Sequence, residues 1–419
     1  MRLKLWLALF LALLSGCATT GGQRTAETVE ILNKAETEVP ESQLLDVDIA
    51  LFDPGELPEK EDKARGLSME IREAEARFIP VHLSAVMEKT GYWGAVRVLP
   101  EAREGYELLV QGTIIASDGE RLELQIEALD ARGRTWFDRN YKGKTSIEDY
   151  DYMSVVTEDF QHVYRAIAND LAKFRNSLSD EDRTAIRRIA DMRFAASMAP
   201  DVYSSYLGET ASGQYRLLRL PAEDDPAYQR VERIRERDFL LIDTLNGHYD
   251  NYYRDLRVPY EEWRKARSIE AEALREVKRK ANTAKALGVL AVLGAIAIEA
   301  TGSSSTRAAT GTLRDVMVVG GLYSIKRGMD INAESTLHEE EITELGNSFS
   351  SEVEPMVVDV DGEIHKLTGS AEAQYAQWRD LMQKIYESET GLAPQIETET
   401  ETEVEDSTIP VSTPPDTQP

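Results

Sequence analysis

The residue in this sequence with the plainest nucleophilic chemistry is Cys17, the only thiol in 419 residues. It follows Arg2 and Lys4, an uncharged apolar run from Leu5 to Leu14, and the small residues Ser15 and Gly16. A basic start, a short apolar middle and a small-residue exit describe a secretory signal peptide over residues 1–16. As a helix the apolar run is about 15 Å long, against roughly 30 Å of bilayer hydrocarbon, so it reads as a targeting segment and not as a span. An incidental cysteine behind a plain secretory signal is the alternative. Other chemistry is sparse. His82, His162, His248, His338 and His365 lie far apart, with no i, i+4 ligand pair, so no metal is expected. There is no G-x-S-x-G elbow, phosphate-binding loop, H-E-x-x-H or cysteine–histidine pair. No catalytic residue and no cofactor is assigned.

Leu14-Ser15-Gly16-Cys17 resembles the lipobox of bacterial lipoproteins. The resemblance implies cleavage between Gly16 and Cys17, a diacylglyceryl thioether on the sulfur, and an N-acyl chain such as palmitate. Two or three acyl chains hold a protein to a membrane almost permanently, at about 0.8 kcal/mol per buried methylene. In the enteric form of the family an Asp after the cysteine retains the protein in the inner membrane. Ala18 stands there instead, which implies the outer membrane, with the body facing the periplasm. Acylation would leave the mature chain without a thiol or disulfide, so the fold must rest on its core.

The formal charge of −27 excludes a nucleic-acid-binding face as a dominant feature. The fold class expected is α+β: a small mixed α/β domain with an antiparallel meander, then a largely helical region. Residues 17–44, rich in Thr, Gly and Glu, read as a lipidated flexible tether. A strand is expected from Leu45 and an amphipathic helix over 64–89, broken or bent at Pro80. A short strand follows at 95–99, then a three-stranded meander over 107–141. Its turns fall at Asp118-Gly119 and Asp130–Gly133, where glycine would supply positive φ.

Within 45–145, Val110-Gln111-Gly112-Thr113-Ile114 and Asp130-Ala131-Arg132-Gly133-Arg134-Thr135-Trp136 resemble an "hxGxI" strand followed by a D-x-x-G-x-x-W strand. That pattern is similar to the N-terminal domain of the Tol-system translocation protein, the curli secretion lipoprotein and the lipoprotein activators of penicillin-binding proteins. It implies a binding module for an envelope protein, and it carries no catalytic residues over.

Residues 146–390 read as helical. Ser179 would cap one helix. A charged helix is expected over 227–256, with another starting at Pro259 and carrying a narrow seam of coiled-coil type at Trp263, Ala266, Ile269, Ala273, Val277 and Ala281. The tyrosines Tyr203, Tyr206, Tyr215, Tyr228, Tyr249, Tyr252, Tyr253 and Tyr260 suit either interhelical packing or an aromatic binding surface. Residues 284–327 read as an apolar Gly/Ala-rich αα-hairpin. Gly288 and Gly294 on one arm, and Gly320 and Gly321 on the other, would allow close backbone approach. Its feet are basic: Lys278, Arg279, Lys280 and Lys285 before it, Lys326 and Arg327 after it, placed to meet lipid phosphates. Burial in protein, an oligomer seam, partial insertion and a full span all stay open. A β-hairpin is expected over 355–367, a last helix over 370–388, and a disordered acidic tail over 391–419.

Three function classes follow. The first is a non-enzymatic outer-membrane lipoprotein acting as a periplasmic binding or assembly module. The others are an oligomeric pore or secretion component, and a peptidoglycan-related envelope enzyme. The expected partners are membrane lipid through acylated Cys17, an envelope protein, and further copies of the chain.

Overall fold

Six strands form one mixed sheet in the order β1-β6-β5-β4-β2-β3. They are β1 Gly22–Thr25, β2 Leu45–Ala50, β3 Trp93–Leu99, β4 Leu108–Asp118, β5 Arg121–Asp130 and β6 Thr135–Lys144. The computed structural model describes residues 22–26, 29–59, 67–145, 158–222, 224–299, 338–351, 353–360 and 363–390. β4, β5 and β6 are the expected antiparallel meander, while β2 lies parallel to both β3 and β4. α1, Met69–Glu88, makes the crossover from β2 to β3, and the Ser68 hydroxyl accepts from the Ile71 N–H at 3.2 Å to cap it. The observed α+β class is the expected one.

Pro80 does not break α1. A helical proline strips the carbonyl four residues earlier of its donor. That carbonyl, on Ala76, accepts from the N–H of Phe52 at 3.0 Å. The ring of Phe52 lies over Gly112, where a Cβ would come within 2.6 Å of it. The glycine of the "hxGxI" strand is thus a seat for the residue that repairs the proline defect.

The meander turns differ. Gly133 has the positive φ the sequence suggested, at 75°. Gly119 does not. A Cβ there would stand 2.2 Å from the backbone oxygen of Arg264, so glycine is needed for close approach and not for its dihedral freedom.

Helices α2, Gln161–Asn176, and α3, Asp180–Met198, follow, and Ser179 caps α3 as expected, accepting from the Asp182 N–H at 3.1 Å. The short α4, Pro200–Tyr203, leads to a small hairpin, β7 Leu207–Glu209 and β8 Tyr215–Leu217, inside the region expected to be helical. The two helices expected on either side of Pro259 are one: α5 runs from Pro226 to Glu299, 74 residues and about 110 Å. An interior proline costs roughly 3 kcal/mol, and buried Leu256, Tyr260 and Trp263 around it supply the packing that offsets this. α6 spans 338–351. The hairpin β9 Met356–Val360 and β10 Glu363–Leu367 precedes α7, Ala371–Thr390.

Two further expectations change. Gly22–Thr25, read as flexible tether, is a sheet strand parallel to β6, because its backbone finds partners along that edge. The boundary drawn at 145 does not divide the core. One contiguous cluster of buried apolar side chains runs from Leu45 through Val163 and Trp263 to Tyr386. The tyrosines resolve toward packing: Tyr203, Tyr249, Tyr252 and Tyr260 are buried, with Phe349 against Tyr249 and Tyr252, and Phe78 against Tyr253 and Tyr260.

Candidate functional site

Gly16, Cys17, Gly320, Gly321, Lys326 and Arg327 lie outside the described residues, as does the tail from 391. Lys278, Arg279, Lys280, Lys285, Gly288 and Gly294 all fall on α5, whose helical backbone carries the uncharged run 286–298 without a break. Gly288 and Gly294 are six residues apart, about 240° around the axis, so the two do not share a face. Among the described residues no helix is long and apolar enough to cross a membrane, and no group of three or more His, Cys, Asp or Glu is placed to hold a metal ion.

The structure assembles what the sequence reading did not propose: a groove between α5 and β9. Arg237, Leu240, Leu241, Thr244 and His248 recur at three- and four-residue steps along one face of α5. Opposite them stand Pro355, Met356, Val357 and Val358, around a volume of about 460 Å³. Leu240 and Val357 are exposed, at 68% and 65%. Trp378 of α7 also lines the groove. Its indole N–H donates to Asp238 Oδ1 at 3.2 Å.

Asp238 belongs to a buried ionic cluster. Arg103 donates to Asp238 Oδ2 at 2.7 Å and to Asp48 Oδ2 at 2.8 Å, and all three are almost without solvent exposure. Burial raises the pKa of Asp238, and the nearby Asp48 adds to this while Arg103 opposes it. Burial alone would lower the pKa of Arg103, but the two carboxylates outweigh it and the guanidinium stays firmly charged. The cluster joins β2, the β3–β4 loop, α5 and, through Trp378, α7. Next to it, Asn246 of α5 accepts from the Val98 N–H at 2.7 Å and donates to the Val98 carbonyl at 3.0 Å, covering the open edge of β3.

A second polar assembly lies further along α5. Glu75 of α1 accepts from the hydroxyls of Ser117 and Tyr260. Arg264 donates to Tyr260 at 2.7 Å and pairs with Glu158. His82 sits beside it, with Nε2 at 2.9 Å from Gln161 Oε1 and Nδ1 at 2.7 Å from the Tyr253 hydroxyl. An Nε2–H donating to Gln161 leaves Nδ1 to accept from Tyr253, the pattern of a neutral imidazole. Burial lowers the pKa of His82, consistent with that form. These groups bind one another between α1, β4 and α5, and their chemistry is that of a fastening.

The D-x-x-G-x-x-W stretch is also structural. Asp130 accepts from the N–H groups of Arg132 and Arg134 at 3.0 and 3.3 Å, and from the Trp136 indole at 3.1 Å. One carboxylate therefore shapes the turn and orients the tryptophan. Buried charges such as Arg103, Asp48 and Asp238 carry no mark in a chain with 75 acidic residues, and their partners are dozens to hundreds of positions away; Glu75 has Arg72 three positions back, but its hydroxyl partners Ser117 and Tyr260 are equally remote.

Comparison with protein-family models, with curated proteins and with solved structures gave no match in any of the three.

Proposed function

We propose that this protein is a non-enzymatic lipoprotein of the outer membrane, held by acylated Cys17 on the periplasmic face, and that it acts as a binding or assembly module for an envelope protein. The observation that carries the reading is Leu14-Ser15-Gly16-Cys17 placed directly after a basic start and a short apolar run. The α5–β9 groove supports the binding role. It combines exposed aliphatic side chains with Trp378, whose indole is fixed on Asp238 of the Arg103 cluster.

Mass spectrometry of protein extracted from envelopes tests the anchor. The expected N-terminal peptide begins at acylated Cys17, and Cys17→Ser is released to the soluble fraction. A chain that still carries Met1, or a free thiol at Cys17, overturns the reading. Photo-crosslinking from position 240 in intact envelopes tests the groove. A discrete adduct is expected, and its loss with Val357→Asp.

A second reading, an oligomeric pore or secretion component, draws support from the uncharged run 286–298 on α5. Light scattering in detergent distinguishes it by a ring-sized mass.

A further inference from the structure

The strand at the start of the described chain changes how an anchored protein would sit. Read as a tether, residues 17–44 would let the body wander some 25–30 Å from the membrane with no preferred face. In the structure only residues 17–21 separate Cys17 from β1. At about 3.4 Å per residue that segment reaches no more than roughly 17 Å.

The stretch after residue 21 is tied down at many points. β1 pairs with β6 through Gly22↔Arg139 to Thr25↔Lys142, and Ala26 donates to the Lys142 carbonyl at 2.8 Å. Arg24 donates to the Ala166 carbonyl at 3.1 Å and pairs with Asp170 and, at 2.6 Å, with Glu30. Asn169 of α2 then clamps the next segment. Its Oδ1 accepts from the Asn33 N–H at 2.8 Å, and its Nδ2 donates to the Ile31 carbonyl at 2.8 Å and to Glu30 at 3.0 Å. Arg165 holds the Glu30 carbonyl at 3.1 Å. A backbone fixed this firmly presents two aliphatic side chains to solvent: Val29 is 78% exposed and Ile31 is 75% exposed, while Leu32 packs inward. Among the described residues of the sheet-bearing half these are the two most exposed large apolar side chains, and they stand shortly after β1, close in sequence to the anchor.

We propose that this edge, β1 with Val29 and Ile31 beyond it, lies against the bilayer that holds the acyl chains, with both side chains entering the apolar boundary. The inference rests on the anchored reading above. The short reach of residues 17–21 keeps this edge within roughly 17 Å of the lipid anchor. Exposed Glu36 and Glu38 nearby, and the net charge of −27, do not favour anionic head groups, so the contact is apolar insertion and not charge pairing.

The experiment uses the acylated full chain, in which Cys17 is consumed and an introduced cysteine is the unique thiol. Ile31→Cys is labelled with nitrobenzoxadiazole and bound to vesicles of phosphatidylethanolamine and phosphatidylglycerol carrying a doxyl-labelled lipid. Leu240→Cys, also exposed but on α5, which hydrogen-bonds β3 at the sheet edge opposite β1, serves as reference. The expected result is a blue-shifted label at position 31 quenched about twofold or more, with position 240 unchanged. A chain that fails to float with the vesicles overturns the anchored reading and the proposal together. A chain that floats with position 31 unquenched overturns the proposal alone. A pyrene excimer at position 31 without quenching assigns the surface to a second copy of the chain, which also overturns it.

Discussion

The long helix is fastened to the sheet twice, and the two fastenings are built on different principles. At Asp238 one arginine serves two buried carboxylates, so an excess negative charge is held away from water. Some 22 residues on, at Tyr260 and Arg264, each carboxylate has its own cation and hydroxyls stand among them: Glu75 is met by Ser117 and Tyr260 with Arg72 at 3.9 Å, and Arg264 is matched by Glu158. The first holds Trp378 of the groove and the sheet edge. The second closes the interior between α1 and the tip of the meander. A charge cluster with one cation has no substitute when that cation is removed, whereas a hydroxyl-rich cluster has several groups to share the loss.

That contrast sets an order of effects. Arg103→Met leaves Asp48 and Asp238 buried and unpaired, and should cost about 3–5 kcal/mol by chemical denaturation. Adding Asp238→Asn should recover part of this, because it removes one stranded charge.

Glu107, at the same end of the sheet, gives the opposite sign. Burial raises its pKa to about 7, with Asp46 adding to the shift. Below its ordinary value of 4.5 the carboxyl is protonated in both folded and unfolded chains and contributes nothing. Between 4.5 and 7 the unfolded chain ionises first, and the fold loses stability as pH rises. Glu107→Gln should therefore stabilise by about 2–3 kcal/mol at pH 8 and by little at pH 4. Denaturant midpoints at the two pH values check this.

At the second fastening, Glu75→Gln should cost less than Arg103→Met, about 2 kcal/mol: it removes the carboxylate 3.9 Å from the buried Arg72 guanidinium, but Arg72 keeps the Ile114 carbonyl, the amide still serves one hydroxyl and Arg264 keeps Glu158. If Glu75→Gln proves the more damaging of the two, the contrast between the clusters fails.

The smallest effect expected is at His82. Its folded pKa lies below the ordinary 6.5, so the unfolded chain gains a proton first and stability falls as pH drops below that value. The slope from this one group is at most about 1.4 kcal/mol per pH unit. His82→Gln should remove that part of the slope at a cost of roughly 1 kcal/mol at pH 8.

Five of the six strands of the sheet, all but β1, were legible because a strand buried on one face alternates in composition: Leu122, Leu124 and Ile126 against Glu123, Gln125 and Glu127. The Ser179 cap was legible for the same local reason, since its acceptor and donor are three residues apart. The groove was not. Leu240 on a charged helix and Val357 in a hairpin are unremarkable alone, and they form one surface only because α5 and β9 meet there. Nor was the continuity of α5 visible across Pro259. A proline in sequence marks a probable boundary, and only buried partners on both sides show that the helix goes on.

Sequence alone determined the α+β class, the meander, the capped helix and the expectation of an acylated Cys17, because each depends on periodicity or on a few adjacent residues. Tertiary structure decided what β1 is, which partners Arg103 and Glu75 have, and where the core ends. Those depend on backbone and side-chain groups that are far apart along the chain, and hydrogen bonds and ion pairs of that kind leave no spacing to read.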